Sequence, residues 1–537
     1  MSLTPEKHDS ITTNQTELPE SSLYTSKVPN FLKWIYKLDN LGIETRGIER
    51  VNEEERHSLL QQTSINFQIL QVLGLWFSSC SGLTSMSSFF LSSILFNLNL
   101  KTSLINSIFA VLIGCLVPAY CSIMGSKSGC RQLVTARFLF GQWGIKFISL
   151  ITIIGGIGWS IVNCVLGGQI LNSINNQISI SWGIIIIAVV SLIVSIFGIK
   201  ILLKFQTLLA IPIFIACILF YIVVFKKSDY IHESNKLIAE MEIDPLTKTG
   251  NWLSFFTIAY AVTATWGSGA SDYYILFPEY ISSTTIFIIT FLGISLPTIF
   301  VAIIGTICGN ITLSYTPWNE IYNKFGIGGI IVETFKPWGK FGKFISVLLY
   351  LSLICNNIMN TYSIAFEFQL IDNHLLFIPR WIWVILITVI YIILSLVGRE
   401  HFSTILSNFL PMLGYWITIY IVLLLEENLI FRSTLKVRKL HEKEFGDEED
   451  DNNNYKKLYN WQNWNLPKGR TLGLASCIAF CFGVVGAILG MNQIYFIGPL
   501  AKKIGEYGGD IGMWLAFGFS GITYPILRYI ELKKFKR

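Results

Sequence analysis

Apolar stretches of roughly 18 to 28 residues, the length at which a helix crosses a bilayer, recur along this 537-residue chain between short polar connections. Twelve can be counted, with approximate limits 69 to 97, 104 to 124, 147 to 171, 182 to 199, 204 to 225, 252 to 272, 284 to 308, 342 to 370, 379 to 397, 402 to 425, 471 to 490 and 511 to 530. Numbered in chain order, these are spans 1 to 12. Two of them lose the apolar pattern midway. Span 6 starts as an apolar, aromatic helix and dissolves into Thr263, Thr265, Gly267, Ser268, Gly269 and Ser271 around Trp266. Span 1 does the same in WFSSCSGLTSMSS, residues 76 to 88. A helix in hydrocarbon cannot leave backbone groups unpaired, so such an interruption is tolerated where it lines a cavity that supplies partners. Small residues also mark ordinary helix contacts, which is the alternative for either span alone. A matched pair of interruptions in two halves of a chain points to a transporter's binding site.

Composition agrees with the pattern. The chain is 52% hydrophobic and 14% charged, against about 25% charged residues in soluble domains, so an all-α polytopic membrane protein is expected. Residues 1 to 66 read as a polar N-terminal tail that ends in the charged run ETRGIERVNEEER, residues 44 to 56. A solvated tail with an amphipathic helix near the membrane surface is the ordinary reading of such a run. No cleavable signal peptide is expected, since the first 65 residues are polar. With the tail inside, 28 of the 40 Lys and Arg residues fall on the inner side, so both termini, including residues 531 to 537, are expected in the cytoplasm. The connection 426 to 470, with HEKEFGDEEDDNNNYKK, then reads as a solvated cytoplasmic loop, disordered in part. Of two glycosylation sequons, Asn310-Ile311-Thr312 is too close to the end of span 7 to be used, and Asn14-Gln15-Thr16 is on the wrong side. Most of the ten cysteines lie inside apolar segments, and read as small buried residues rather than a disulfide framework or a metal site.

Candidate chemistry is confined to a few side chains. Trp159 and Asn163 of span 3 are four residues apart and share a helix face. An interhelical amide bond beside a packed indole is the alternative for that pair. Span 8 places Asn356, Asn357 and Asn360 in an otherwise apolar helix; the first and third share a face, and Asn357 looks elsewhere. An unsatisfied amide in hydrocarbon costs several kcal/mol. Three of them ask for a ligand, because an amide both accepts and donates and so matches the edge of a heterocycle, while Trp159 and Trp266 clamp its faces. Ion channels and pumps carry rings or relays of charged groups in their spans; this interior is Trp, Asn, Ser and Thr, which suits a neutral, flat, hydrogen-bonding cargo. No metal-ligand cluster, cofactor motif or His-acid pair is placed in the spans, which argues against an enzyme.

With these residues assembled, the chain resembles the fungal purine-cytosine permeases of the nucleobase cation symporter-1 family. The similarity runs from about Gly42 to the C-terminus through ETRGIERV, GLWFSSCSGLTSMSSFFL, AYCSIMGSKSGCRQLVTARFLFG, TATWGSGASDYYILFPE, NNIMNTYS, HFSTILSNFLPMLGYW, EENLIFR and IGPLAKKIGEYGGDIGMWL. It implies a leucine-transporter-type fold of twelve transmembrane helices, a 5+5 inverted repeat plus two peripheral helices. Here the transporter domain spans residues 67 to 530, with repeats at 69 to 225 and 252 to 425 and peripheral helices at 471 to 530. The family's bacterial hydantoin transporter holds its ligand between two tryptophans that fall on Trp159 and Trp266. Its span 3 amide falls on Asn163, with Gln changed to Asn, and its span 8 Asn on Asn360. A ligand-facing Gln of span 1 falls on Gly82, so neighbours such as Ser81, Thr84 and Ser85 would stand in. Its sodium site uses a Ser-Thr pair where this chain has Ile354-Cys355, a poor set for a hard cation that wants oxygen.

The expectation is therefore a proton-coupled importer of cytosine and of the purine bases adenine, guanine and hypoxanthine in the plasma membrane, needing no cofactor and no nucleic acid. Its partners are the base, protons and the lipid bilayer. Asp272 and Glu367, with Glu279 behind them, are the coupling candidates, structural charge pairs at span ends being the alternative. Asn356 and Asn357 would support span 8, spans 1, 2, 6 and 7 would rock against spans 3, 4, 8 and 9, and residues 408 to 416 would gate the outside. An importer of vitamin B6 or another heterocycle with the same fold is the nearest rival. A non-transporting nutrient sensor is the other, disfavoured by the short C-terminus.

Overall fold

A computed structural model describes residues 43, 44, 46–433, 440–445 and 458–537. The tail at 1–42, with its Asn14 sequon, and the acidic run at 446–457 lie outside the described residues. Among those described, nine helices are long and apolar enough to cross a membrane, covering spans 1 to 5 and 7 to 10. The other three expected spans are also helical. Pro245–Ala264 surrenders its apolar run to small residues, Leu474–Gly490 has 17 residues, and Gly512–Phe535 ends in charged turns.

The spans sort into two groups by packing. Spans 1, 2, 6 and 7 pack on one another, and spans 3, 4, 8 and 9 do the same around the long contact of span 3 with span 8. Span 5 lies against spans 1 and 8, span 10 against spans 6 and 3, and the last two spans pair with each other beside span 10. Water drives none of this inside a bilayer, so close packing must, and glycine lets backbones approach. Gly305 and Gly309 on span 7 face span 1 in this way: a methyl on Gly305 would sit 2.6 Å from the Met86 carbonyl, and one on Gly309 would strike that of Phe90. Span 3 begins at a kink. Gly141 adopts φ 64°, ψ −166° inside Gln132–Ile174, against the Leu472 carbonyl that precedes span 11.

The connection after span 10 departs from expectation. Span 10 does not stop at 425; Phe402–Glu426 runs into a π-helical turn, Glu427–Arg432. The described parts of the connection are packed rather than solvated, with Glu427, Arg432, His441, Glu444, Tyr459 and Arg470 all buried. Arg528 of span 12 and Arg432 both bond Glu427, at 2.9 and 2.8 Å, and Arg432 reaches Glu444 at 3.1 Å over the face of Tyr459. Buried charges persist only when fully paired, and these partners lie too far apart in sequence to be seen as pairs. Burial also holds the His441 imidazole well below its ordinary pKa, so it is neutral beside the two guanidiniums.

The charged run ahead of span 1 is likewise docked. Its helix Glu53–Gln62 buries Arg56, which donates to the carbonyls of Ser126 and Phe277. Glu44 accepts from the Tyr362 hydroxyl at 3.2 Å and lies 3.6 Å from Arg131 and 3.5 Å from Arg380. On the opposite side, the connection between spans 11 and 12 folds into a hairpin pairing Asn492 with Ile497 and Gln493 with Phe496. It covers the N-terminal half of span 10: the Ile494 amide donates to Asn408 and Gln493 donates to the Tyr415 hydroxyl, which itself donates to Asp510. Burial pushes the Asp510 carboxyl up to about 7, although Tyr415 and the Gly512 amide donate to it.

Candidate functional site

Both interrupted spans break where the polar runs predict. Span 1 is Ile65–Cys80 and Leu83–Ile94, with Ser81 and Gly82 between. The Leu83 amide, left without a helical partner, donates to the Ser352 hydroxyl of span 8 at 3.1 Å. Gly82 meets that same hydroxyl so closely that a methyl would lie 2.6 Å from it. Gly82 and Ser81 thus pack on neighbouring helices, away from any cavity, and only Thr84 and Ser85 of the span 1 candidates face the interior space. Span 6 is helical to Ala264 and then tightens into two 3-10 turns, Thr265–Ser268 and Ala270–Tyr273.

The enclosed cavity lies between spans 1, 3, 6, 8 and 10. Trp159 and Trp266 stand on its walls, each partly exposed to it. Behind them the buried Trp76 sets the geometry: its ring meets those of Trp266 and Tyr273 edge-on, at 5.6 and 5.4 Å, and its N–H donates to Tyr274. Edge-to-face contacts of this kind hold an aromatic wall in one orientation.

The amides form one connected chain. Thr84 donates to the Asn163 oxygen at 2.5 Å, the Asn163 amide donates to the Asn356 oxygen at 2.9 Å, and Asn360 donates to that same oxygen at 3.4 Å. Asn356 in turn donates to the Ser79 carbonyl in the last turn before the break of span 1. Asn163 is fully buried behind Thr84 and Asn356 and does not reach the cavity wall, whereas Asn360 is the partly exposed end of the chain. Asn357 points away, donating to Tyr391 of span 9 at 3.4 Å. Ile354 and Cys355 are buried, and the Cys355 carbonyl accepts from the Gln206 amide of span 5 at 2.7 Å while Ser78 donates to the Gln206 oxygen at 2.5 Å. A neutral amide thus joins the break of span 1 to span 8. Among the described residues no group of three His, Cys, Asp or Glu side chains is placed to hold a metal ion.

The three acidic candidates differ in surroundings. Asp272 accepts from the Gln132 amide at 2.8 Å and lies 4.0 Å from Arg131. Glu279 sits nearer the surface, paired with His57 at 2.9 Å and Arg56 at 3.8 Å. Glu367 lines the cavity itself, beside Thr152. Thr265 and Ser268 of the span 6 interruption line the cavity as its polar run suggested, whereas Thr152 carried no sequence signal; all three bond carbonyls of their own helices, as hydroxyls in helices commonly do. Trp416, at the end of the expected gate segment, closes the cavity from span 10, while Asn408 is held outside it by the hairpin.

Comparison with known proteins matches this arrangement. The profile of the family described as "Permease for cytosine/purines, uracil, thiamine, allantoin" matches residues 62–498. The vitamin B6 transporter TPN1 of Saccharomyces cerevisiae is 46% identical over 95% of this chain and 91% of its own length. The purine-cytosine permease FCY2 of the same species is 30% identical over 94% and 90%. Among solved structures, Mhp1, a nucleobase-cation-symport-1 family transporter in a closed conformation with bromovinylhydantoin bound, superposes with a TM-score of 0.61 at 13% identity, covering 92% of this chain and 96% of that one. That likeness supports the leucine-transporter-type fold expected from the sequence. Its relatives are transporters and not enzymes, and this multi-pass membrane protein belongs to the family of permeases for cytosine/purines, uracil, thiamine and allantoin.

Proposed function

We propose that this permease imports a small, flat, hydroxyl-bearing heteroaromatic of the vitamin B6 type across the plasma membrane together with a proton. The observation that carries the cargo is the 46% identity to a vitamin B6 transporter over 95% of the chain, against 30% to purine-cytosine permeases. The order of the two cargoes is thereby the reverse of the order expected from the sequence. The cavity supports the choice, since the hydroxyls of Thr152, Ser268 and Ser363 line it and can meet ring substituents. In this reading the ring lies between Trp159 and Trp266, with Asn360 on its edge and Asn163 and Asn356 fixing Asn360 from behind. The Lys and Arg distribution orients both termini to the cytoplasm. The group of spans 1, 2, 6 and 7 rocks against spans 3, 4, 8 and 9, exposing the cavity to each side in turn.

Cytosine and purines are the second reading, favoured by the amide chain and the 30% relatives. The test is uptake of radiolabelled pyridoxine and, separately, cytosine by cells lacking their own permeases, with and without a protonophore. Pyridoxine accumulation that the protonophore abolishes is the expected result. Cytosine entering in its place would overturn the cargo and keep the coupling, and accumulation that follows sodium instead would overturn the coupling.

A further inference from the structure

Three acidic groups lie within reach of the transport path, and their surroundings separate them. Asp272 is tied to the Gln132 backbone and to Arg131, and Gln132 itself is clamped between the Ser271 amide and the Tyr420 hydroxyl. Glu279 is held by His57 and Arg56. Glu367 is different. It is 7% exposed, no ion pair reaches it among the described residues, and its Oε2 has no hydrogen-bond partner.

Position adds a second argument. Glu367, Ser268 and Ser363 line the main cavity and also a smaller one beneath it, toward the N-terminal tail. The smaller one is closed by Ile48 of the tail segment, with Arg131, Asp272 and Phe366 around it. Arg131 does not turn toward Glu367. Its guanidinium lies 3.3 Å from the centre of the Phe366 ring, donates to Tyr362 and faces Glu44. The other groups around Glu367 are Thr152 on span 3 and Asp272 and Tyr273 on span 6; the cavity residues on spans 1 and 10 are uncharged. A buried carboxylate so placed, with the Thr152 hydroxyl beside it and no cation to balance it, costs several kcal/mol. It is at rest when it holds a proton or when a ligand brings it a donor.

We propose that Glu367 is the group that carries the coupled proton, while Asp272 and Glu279 are fixed structural partners. The proton arrives from the outer side through the open cavity, binds the free oxygen of Glu367, and crosses with the cargo. It leaves through the smaller cavity once that opens toward the tail. No bond of the cargo changes. This assignment rests on the proton-coupled reading above and adds the residue that performs it.

The test uses the full chain in proteoliposomes, with radiolabelled pyridoxine as probe, an internal pH dye, and the variants Glu367→Gln, Glu367→Asp and Asp272→Asn. Two modes are compared: accumulation under an inward proton gradient, and pyridoxine exchange with no gradient. For one proton per cargo, about one pH unit supports about tenfold accumulation. Glu367→Gln is expected to keep exchange, to equilibrate at a ratio of about one, to admit no proton with the cargo and to lose its pH dependence. Glu367→Asp keeps coupling with a displaced pH profile. The proposal is overturned if Glu367→Gln still accumulates cargo with proton entry, or if Asp272→Asn uncouples transport and Glu367→Gln does not. It is also overturned if both Glu367 variants bind pyridoxine yet neither exchanges nor accumulates it, the mark of a structural role. Should the unmodified chain move cytosine rather than pyridoxine, the same comparison made with cytosine decides the residue, and only the cargo is lost.

Discussion

Asn360 is the partly exposed end of an amide chain whose other members, Asn163 and Asn356, are buried, and that position sets it apart from them. On the proposed function, replacing it with alanine would remove one ligand contact, and it leaves the Asn163–Asn356 bond in place. Asn360→Ala is expected to weaken cargo binding by about 10- to 100-fold, the worth of a buried hydrogen bond at about 1–3 kcal/mol, with little change in thermal stability; uptake kinetics and a melting curve read the two separately. Asn356→Ala is the contrasting case, because its oxygen serves two donors and its amide closes the break of span 1. That substitution lowers both binding and melting temperature. Which amide faces the cavity was only half legible in the sequence. Spacing put Asn356 and Asn360 on one face and turned Asn357 away. It could not say that Asn163 is buried behind Thr84 and Asn356.

At the scale of the helices, the breaks in spans 1 and 6 were readable because hydrocarbon forbids unpaired backbone. Their partners were not. Gln206 sits in FQTLL, close to Lys204, where a polar residue reads as interfacial. In the fold it bridges Ser78 to the Cys355 carbonyl. Gln206→Leu removes both of these bonds, while the Ser78 hydroxyl keeps its bond to the Leu75 carbonyl, and is expected to cost about 0.5–1.5 kcal/mol for each bond lost, seen as a lower melting temperature and reduced uptake of any cargo. Gly141 is the other concealed joint. Its left-handed φ and the Leu472 carbonyl beside it leave no room for a side chain, so Gly141→Ala is expected to destabilise by more than about 1 kcal/mol, measured as loss of folded protein in detergent.

For the whole molecule, apolar run length sufficed to place the spans, but not the covers over the two ends. The hairpin over span 10 and the docked charges after it depend on pairs tens to hundreds of residues apart, such as Tyr415 with Asp510 and Glu427 with Arg528. Asp510 makes the hairpin sensitive to pH. Folded, its carboxyl holds a proton up to about pH 7, whereas an unfolded chain releases it near pH 4. The folded state therefore binds more protons between those values, and stability falls as pH rises through that window, by on the order of a few kcal/mol. Melting temperatures of the purified protein should decline from acid to neutral pH, and Asp510→Asn should flatten that slope.

The proton-carrying role proposed for Glu367 would have an electrical consequence. With the proton aboard, the loaded carrier crosses with no net charge at its centre. Emptied, it returns with one negative charge buried in the membrane, and an interior-negative voltage pushes that charge outward. A full crossing would gain about 2.3 kcal/mol per 100 mV; the carboxyl, lying part-way, takes a fraction of it. Voltage then hastens the empty return and leaves the loaded step untouched, so polarising the membrane should raise the maximal rate of uptake at saturating cargo.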